Sequence, residues 1–280
     1  MSKVMQRLLI FFIGLPLVIG VVAVSACNHL LLHIVIILCS LLSAKELYDL
    51  FARKVVQFPK AYVLSLCCVP SVIACVCSYF NFSFHYLEFS LLFCFLFILA
   101  SEVFYAKTFE HSVERILSAF FTVLYAGYLM TYVSRITVYS NSTKLIISFL
   151  FMIFICDSFA WLFGVLLGKN NRGIIKVSPN KSVAGFIGGY FGSIMAALVS
   201  RFLWPEVFFG SVLKSVLVGI LIATAGIIGD LVESVIKRCV GVKDSGVIMP
   251  GRGGLLDSID SILFASPIFY MLIFLLFREL

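Results

Sequence analysis

The stretch LIISFLFMIFICDSFAWLFGVLLG, Leu145 to Gly168, runs for 24 residues with a single formal charge, Asp157. At 1.5 Å of rise per residue, about 20 apolar residues carry a helix across a ~30 Å hydrocarbon core. The run is continuous in its hydrophobicity rather than alternating, so in lipid it satisfies its backbone only as a helix; a β-barrel is excluded. Working outward, similar runs lie near 8–27, 30–44, 61–80, 87–106 and 116–134 on one side and 183–203, 210–229 and 262–277 on the other. The second is short, and reaches through Lys45 if that side chain snorkels.

These nine runs predict an all-α, polytopic integral membrane protein with about nine transmembrane helices. Composition agrees: 62% of the 280 residues are hydrophobic and 12% charged, against roughly a quarter charged in a soluble domain. No segment between runs is long enough to build a separate soluble core, so a single membrane domain over 1–280 is expected, its N-terminal spans in 1–140 and its polar motifs in 141–280.

Orientation follows from the basic residues, which are retained on the cytoplasmic side. With the N-terminus inside, sixteen of the 21 Lys and Arg fall on inner segments and five on outer ones. This predicts N-inside and C-outside, in a cell inner membrane. The net charge of +7 is carried beside the spans rather than in a soluble stripe with interleaved aromatics, so nucleic acid is not an expected partner. Anionic headgroups and phosphate compounds are.

Lys3 and Arg7 precede an apolar stretch ending Val24-Ser25-Ala26-Cys27, which has the look of a lipoprotein cleavage site. The stretch is long for a signal and eight more runs follow, so an uncleaved anchor is expected. None of the nine cysteines forms a CxxC pair and seven lie within apolar runs, where they read as small buried side chains. His33, His85 and His111 lack acidic or thiol partners at ligand spacing, and packing or interfacial roles are expected. Glu46 and Asp49, with Arg53 four residues beyond Asp49, read as a solvated helix end.

Chemistry gathers in the second half. Asp157, inside its span, must face a polar cavity or a partner. A basic loop then leads to Ser178-Pro179-Asn180-Lys181-Ser182, whose hydroxyls, Lys and helix-start amides could hold a phosphate. Gly185, Gly188, Gly189 and Gly192 beyond it fit close helix packing. The densest constellation is 229–261, where five of the chain's fourteen acidic and four of its 21 basic residues occupy 33 positions. That density exceeds what a solvated loop needs. On one helix Asp230, Glu233, Ser234 and Lys237 share a side. The Pro250-Gly251-Arg252-Gly253-Gly254 break permits an anion-binding nest, and Asp257 and Asp260 follow as the last span begins. Carboxylates near lysines and glycine amides suit a Mg²⁺-phosphate site.

The segment Ser234-x-Ile236-Lys237-Arg238-x4-Lys243-Asp244-x-Gly246-x3-Pro250-x-x-Gly253-Gly254-x-x-Asp257-x-x-Asp260, with Gly229-Asp230-Leu231-x-Glu233 before it, closely resembles the signature of the phosphatidate cytidylyltransferase (CDP-diacylglycerol synthase) family. Asp157-Ser158-x-Ala160-Trp161-x-x-Gly164 and Ser178-Pro179-x-Lys181-Ser182-x-x-Gly185-x-x-Gly188-Gly189 are similar to two further blocks. The resemblance implies Mg²⁺-dependent transfer of a cytidylyl group from CTP to phosphatidate in the bilayer, giving CDP-diacylglycerol and pyrophosphate at a cytoplasm-facing site. It implies metal ligation by Asp230 and Asp257, with Asp260 and Asp157 in support, and leaves open a second, monovalent or divalent cation and a homodimer. Asp230, Lys237, Arg238, Lys243, Asp244 and Asp257 become the catalytic candidates; Ser178, Lys181, Ser182, Arg252, Gly253 and Gly254 become the substrate-binding ones. The Pro-Gly turn is expected to fold Asp257 back toward Asp230. Three positions depart from the family pattern: Arg252 replaces a His, Ser258 an Arg and Ala184 a Glu. A polytopic transporter, or a family member with altered lipid substrate or lost activity, are the competing readings.

Overall fold

The structure is a computed structural model that describes residues 13–14, 16–249, 251 and 253–277. Lys3, Arg7, Pro250, Arg252, Arg278 and residues 8–12 and 15 of the first apolar run lie outside the described residues. Every named regular element is helical, as the apolar runs require. The principal helices are α1 (Ala26–Phe51), α2 (Lys60–Phe80), α3 (His85–Tyr105), α4 (Ser112–Thr122), α5 (Thr131–Arg135), α6 (Ser142–Leu166), α7 (Val183–Leu203), α8 (Val212–Cys239) and α9 (Leu256–Leu276). A π-helical stretch, Val123–Tyr128, links α4 toward α5, and a short 3₁₀ turn, Ile136–Val138, ends that span. Among the described residues eight helices are long and apolar enough to cross a membrane, Ser112–Val138 counting as one.

Two boundaries differ from the sequence reading. The second run does not stop near residue 44: α1 continues to Phe51 because Glu46, Leu47 and Leu50 extend its buried face. Its beginning is broken, with Cys27, Asn28 and His29 at φ of 50°, 52° and 60°. Three successive non-glycine residues in the left-handed region interrupt the helix and separate the first apolar run from the second.

The chain packs as two compact units. One takes residues up to Val138 together with Cys239–Ile259; the other takes Tyr139–Arg238 and residues from Asp260 onward. In the first, Ala44, Val63, Leu66, Cys67, Cys94, Ile98, Ala119, Val123 and Ala126 form one buried cluster drawn from α1 to α4 and the π-helical stretch. That stretch brings Gly127 so close to α2 that a Cβ there would lie 2.7 Å from the Cys67 carbonyl oxygen. His33 is buried against Ser134, with Nδ1 3.2 Å from Oγ, in keeping with a packing role. All nine cysteines are free.

The second unit is built on small residues, because helices in lipid associate by close backbone approach rather than by a hydrophobic drive. Gly188 and Gly192 of α7 meet α6: added Cβ atoms would lie 2.6 Å from Phe163 and 2.8 Å from the Ile155 carbonyl oxygen. Gly219 of α8 seats against Ile194, and Ser193 Oγ donates to the Gly219 carbonyl at 2.8 Å. Ser261 of α9 likewise donates to Gly226 of α8 at 3.1 Å. The expected packing role of the α7 glycines is what the structure shows.

Removed from water at the ends of α3 and α4, Glu102 and Arg115 form a bidentate pair, and the Arg115 guanidinium also donates to the Thr108 carbonyl at 3.1 Å. Arg115→Met strands the carboxylate. Because the pair closes at helix ends rather than mid-membrane, we expect a loss of roughly 1–3 kcal/mol of stability. The thermal midpoint in detergent measures it, and Glu102→Met added to Arg115→Met should restore most of the loss.

Candidate active site

Each unit contributes one constellation, and the two are built differently. In the first unit the chain leaves α8 through Gly241 (φ 74°) and folds into a loop before α9. Met249 and Gly253 clasp that loop with two backbone hydrogen bonds, of 2.8 and 3.0 Å, and Gly251 and Gly253 hold φ of 75° and 110°. Glycine is required at these two because L side chains avoid that region.

The first amides of a helix have no partner within it. At the start of α9 two carboxylates take them: Gly254 N donates to Asp257 Oδ2 (2.7 Å), Leu255 N to Glu46 Oε1 (2.9 Å) and Leu256 N to Glu46 Oε2 (2.8 Å). Ser245 lies between them. Its backbone N–H donates to Asp257 Oδ2 at 2.8 Å, and its Oγ is 2.9 Å from both Asp257 Oδ2 and Glu46 Oε2. One hydroxyl proton is thus held between two acids. Glycines make room for the carboxylates: a Cβ on Gly253 would fall 2.6 Å from Asp257 Oδ2, and one on Gly254 2.3 Å from Glu46 Oε2.

This corrects the reading of Glu46 as a solvated helix end. It is 4% exposed, and its neighbour Asp49 pairs with Lys60 at 2.5 Å rather than with Arg53. The signal was present in helix periodicity: Ser43, Glu46, Leu47 and Leu50 fall on the stripe that α1 buries. Of the other candidates here, Lys243 and Asp244 are exposed, Gly253 and Gly254 line the carboxylates, and Arg252 lies outside the described residues.

In the second unit, four carboxylates on three helices come within electrostatic reach. Asp260 of α9 feels Asp230 and Glu233 of α8 and Asp157 of α6. Lys181, just ahead of α7, pairs with Asp230 at 2.5 Å. Lys237 pairs one helical turn along α8 with Glu233, also at 2.5 Å, and Glu233 is fully buried. Glu233 and Asp260 are buried, whereas Asp230 is partly exposed and Asp157 exposed. A hard divalent cation fits an all-oxygen donor set of this kind. Among the described residues no three of the chain's His, Cys, Asp and Glu already close into a ligand cage. An ion bound by one or two carboxylates, completing its shell with phosphate oxygens or water, is the habit of Mg²⁺.

The remaining candidates separate by task. Ser182 is buried and caps α7, its Oγ accepting from Gly185 N at 3.0 Å. The Ser178 carbonyl accepts from Lys181 N at 3.1 Å in the turn that presents Lys181. Ala184, where the family pattern has Glu, is buried, and its N–H meets Asn171 Oδ1 at 3.5 Å. Arg238 is exposed at the end of α8, and Ser258 Oγ contacts the Gly254 carbonyl at 3.5 Å.

The model of the cytidylyltransferase family matches residues 5–276, and the chain belongs to that family. Among its relatives, the phosphatidate cytidylyltransferase of Staphylococcus haemolyticus is 37% identical over 147 residues, 52% of this chain and 54% of that protein. The Staphylococcus epidermidis enzyme of the same name matches to the same extent. An uncharacterised Escherichia coli protein, YnbB, is 41% identical over 117 residues, 42% of this chain and 38% of its own. The matched stretch spans about half the length of the staphylococcal relatives.

With its hydroxyl committed to the cap, Ser182→Ala should cost about 1 kcal/mol of stability. Thermal unfolding in detergent reads the loss, and equilibrium titration with nucleotide should give an affinity within about twofold of the parent, less than a lost hydrogen bond would cost.

Proposed function

We propose that this protein makes CDP-diacylglycerol from CTP and phosphatidate. The observation that carries the proposal is the meeting of Asp157, Asp230, Glu233 and Asp260 with Lys181 and Lys237 inside a membrane unit. Membership of the cytidylyltransferase family and the names of the staphylococcal relatives support it.

In the reaction a phosphate oxygen of phosphatidate attacks the α-phosphorus of CTP. The new P–O bond forms as the bond to the β-phosphate breaks, and pyrophosphate leaves with its electron pair. The nucleophile is already anionic near neutral pH, so alignment and charge stabilisation outweigh the need for a strong base. Asp230 and Asp260, with Asp157 in support, would hold Mg²⁺, which supplies positive charge to the triphosphate. By the family pattern Asp257 is a further metal candidate, and its Oδ2 accepts from Ser245 and Gly254. Lys181 and Lys237 would present their ammonium groups to phosphate oxygens, and the exposed Arg238 and Lys243 would add positive charge for the phosphates. The site faces the cytoplasm of a cell inner membrane, a reading supported by the sixteen-to-five distribution of Lys and Arg.

Purified protein should release pyrophosphate only when CTP, phosphatidate and Mg²⁺ are all present. Asp230→Asn and Asp257→Asn should each lower turnover by at least about two orders of magnitude. In Asp257→Asn the amide oxygen can still accept the three loop donors, so loop collapse is not the expected cause of the loss. Near-normal turnover with unchanged Mg²⁺ dependence in either variant would remove that carboxylate from metal binding.

Topology is testable at Val247, which stands 94% exposed on the loop. In a background freed of native cysteines, Val247→Cys should react with an impermeant thiol reagent in inside-out vesicles and not in right-side-out ones. Labelling from the opposite side would invert the orientation.

A further inference from the structure

We infer that Glu46 is a positioning residue for the transfer reaction: a carboxylate from the N-terminal spans that sets the backbone of the 240–256 loop and, through Ser245, the carboxylate of Asp257. The inference deepens the proposed function and rests on it where turnover is the readout.

Three observations carry it. First, both Glu46 oxygens are engaged with the same loop, accepting from Leu255 N, Leu256 N and Ser245 Oγ at 2.8–2.9 Å, across 199 to 210 residues of sequence. A helix is normally capped by a residue beside its own first turn; here the two central donors are met by a distant acid. Second, Ser245 transmits the constraint, since its Oγ reaches Glu46 and its Oγ and N–H both reach Asp257 Oδ2. Third, the loop is shaped around this side chain. The three atoms nearest a Cβ built on Gly246 all belong to Glu46, namely Oε1 at 2.6 Å, Cδ at 2.9 Å and Cγ at 3.3 Å. Gly246 keeps its small size because Glu46 fills the space a side chain would take, and Gly254 does so for Glu46 and Ser245 together.

The chemistry dictates the variants. Glu46→Gln keeps size and shape, but its NH₂ must face a backbone N–H, so one of the two helix-start amides loses its acceptor. Gly246→Ala drives a methyl into the carboxylate. Glu46→Ala opens the space that this methyl needs.

The test uses the full chain in detergent micelles, with pyrophosphate release from CTP and phosphatidate as one readout. The other is the spectrum of a nitroxide on Val247→Cys in a background freed of native cysteines. We expect Glu46→Gln to lower kcat at least about tenfold while the KM for CTP stays within about threefold, and to sharpen the nitroxide lines as the loop loosens. Gly246→Ala should be similarly impaired alone, yet Glu46→Ala with Gly246→Ala should be no more than about twofold worse than Glu46→Ala. Parental kcat and an unchanged line shape in Glu46→Gln would overturn the inference, as would losses that multiply in the double variant. If the parent protein releases no pyrophosphate, the reaction assigned to it fails, and the nitroxide line shape alone decides whether Glu46 orders the loop.

Discussion

A charge withdrawn from water must be met at hydrogen-bond distance, and in this protein nearly every informative contact is an answer to that demand. Glu46 is met by two backbone amides and a hydroxyl, Glu102 by a guanidinium, Glu233 by Lys237 and Asp230 by Lys181. All but the Glu233–Lys237 pair, which lies within α8, tie together separate parts of the chain that apolar packing alone would leave free to slide. The loop before α9 is the plainest case: without Asp257 and Glu46 its amides would be orphans at the head of a helix.

Such contacts need backbones at close range, and small residues supply the range. In the second unit Gly188 and Gly192 let α7 rest on α6, while Gly219 and Gly226 seat α8 against α7 and α9. Asp260 of α9 feels the carboxylates of α6 and α8 because the helices bearing them are held so near. In the loop before α9 glycine does a different job, since Gly246 and Gly254 leave space for a side chain rather than for another helix.

How much of this was legible beforehand depends on the kind of signal. Continuous apolar runs announce spanning helices, and the helical class and the spans after the first followed directly. Asp157, Lys181 and the acidic residues of 229–261 stood out because ionised groups are costly beside lipid and have few bland explanations. Glu46 did not stand out, because an acid near a helix end beside Lys45 and Asp49 looks solvated until the helix is seen to continue to Phe51. Ser182 was legible as a hydroxyl near a helix start but not as a cap, since capping and phosphate binding ask for the same residue at the same place. The break at Cys27–His29 carries neither Gly nor Pro; Asn28 and His29, residue types that tolerate the left-handed region, are a weaker local signal.

The span between Glu46 and its partners also sets an order of events in biosynthesis. Ser245 follows Glu46 by 199 residues, and Leu256 by 210. Until that stretch is made, Glu46 has neither the three donors that meet it here nor the loop that covers it. The first unit is therefore completed only after α6, α7 and α8 have been made, and a chain cut short before α9 keeps α1 with an acid that lacks these partners. In such a chain the acid must turn to water or take up a proton, so this loop can close only after the helices before it have been made.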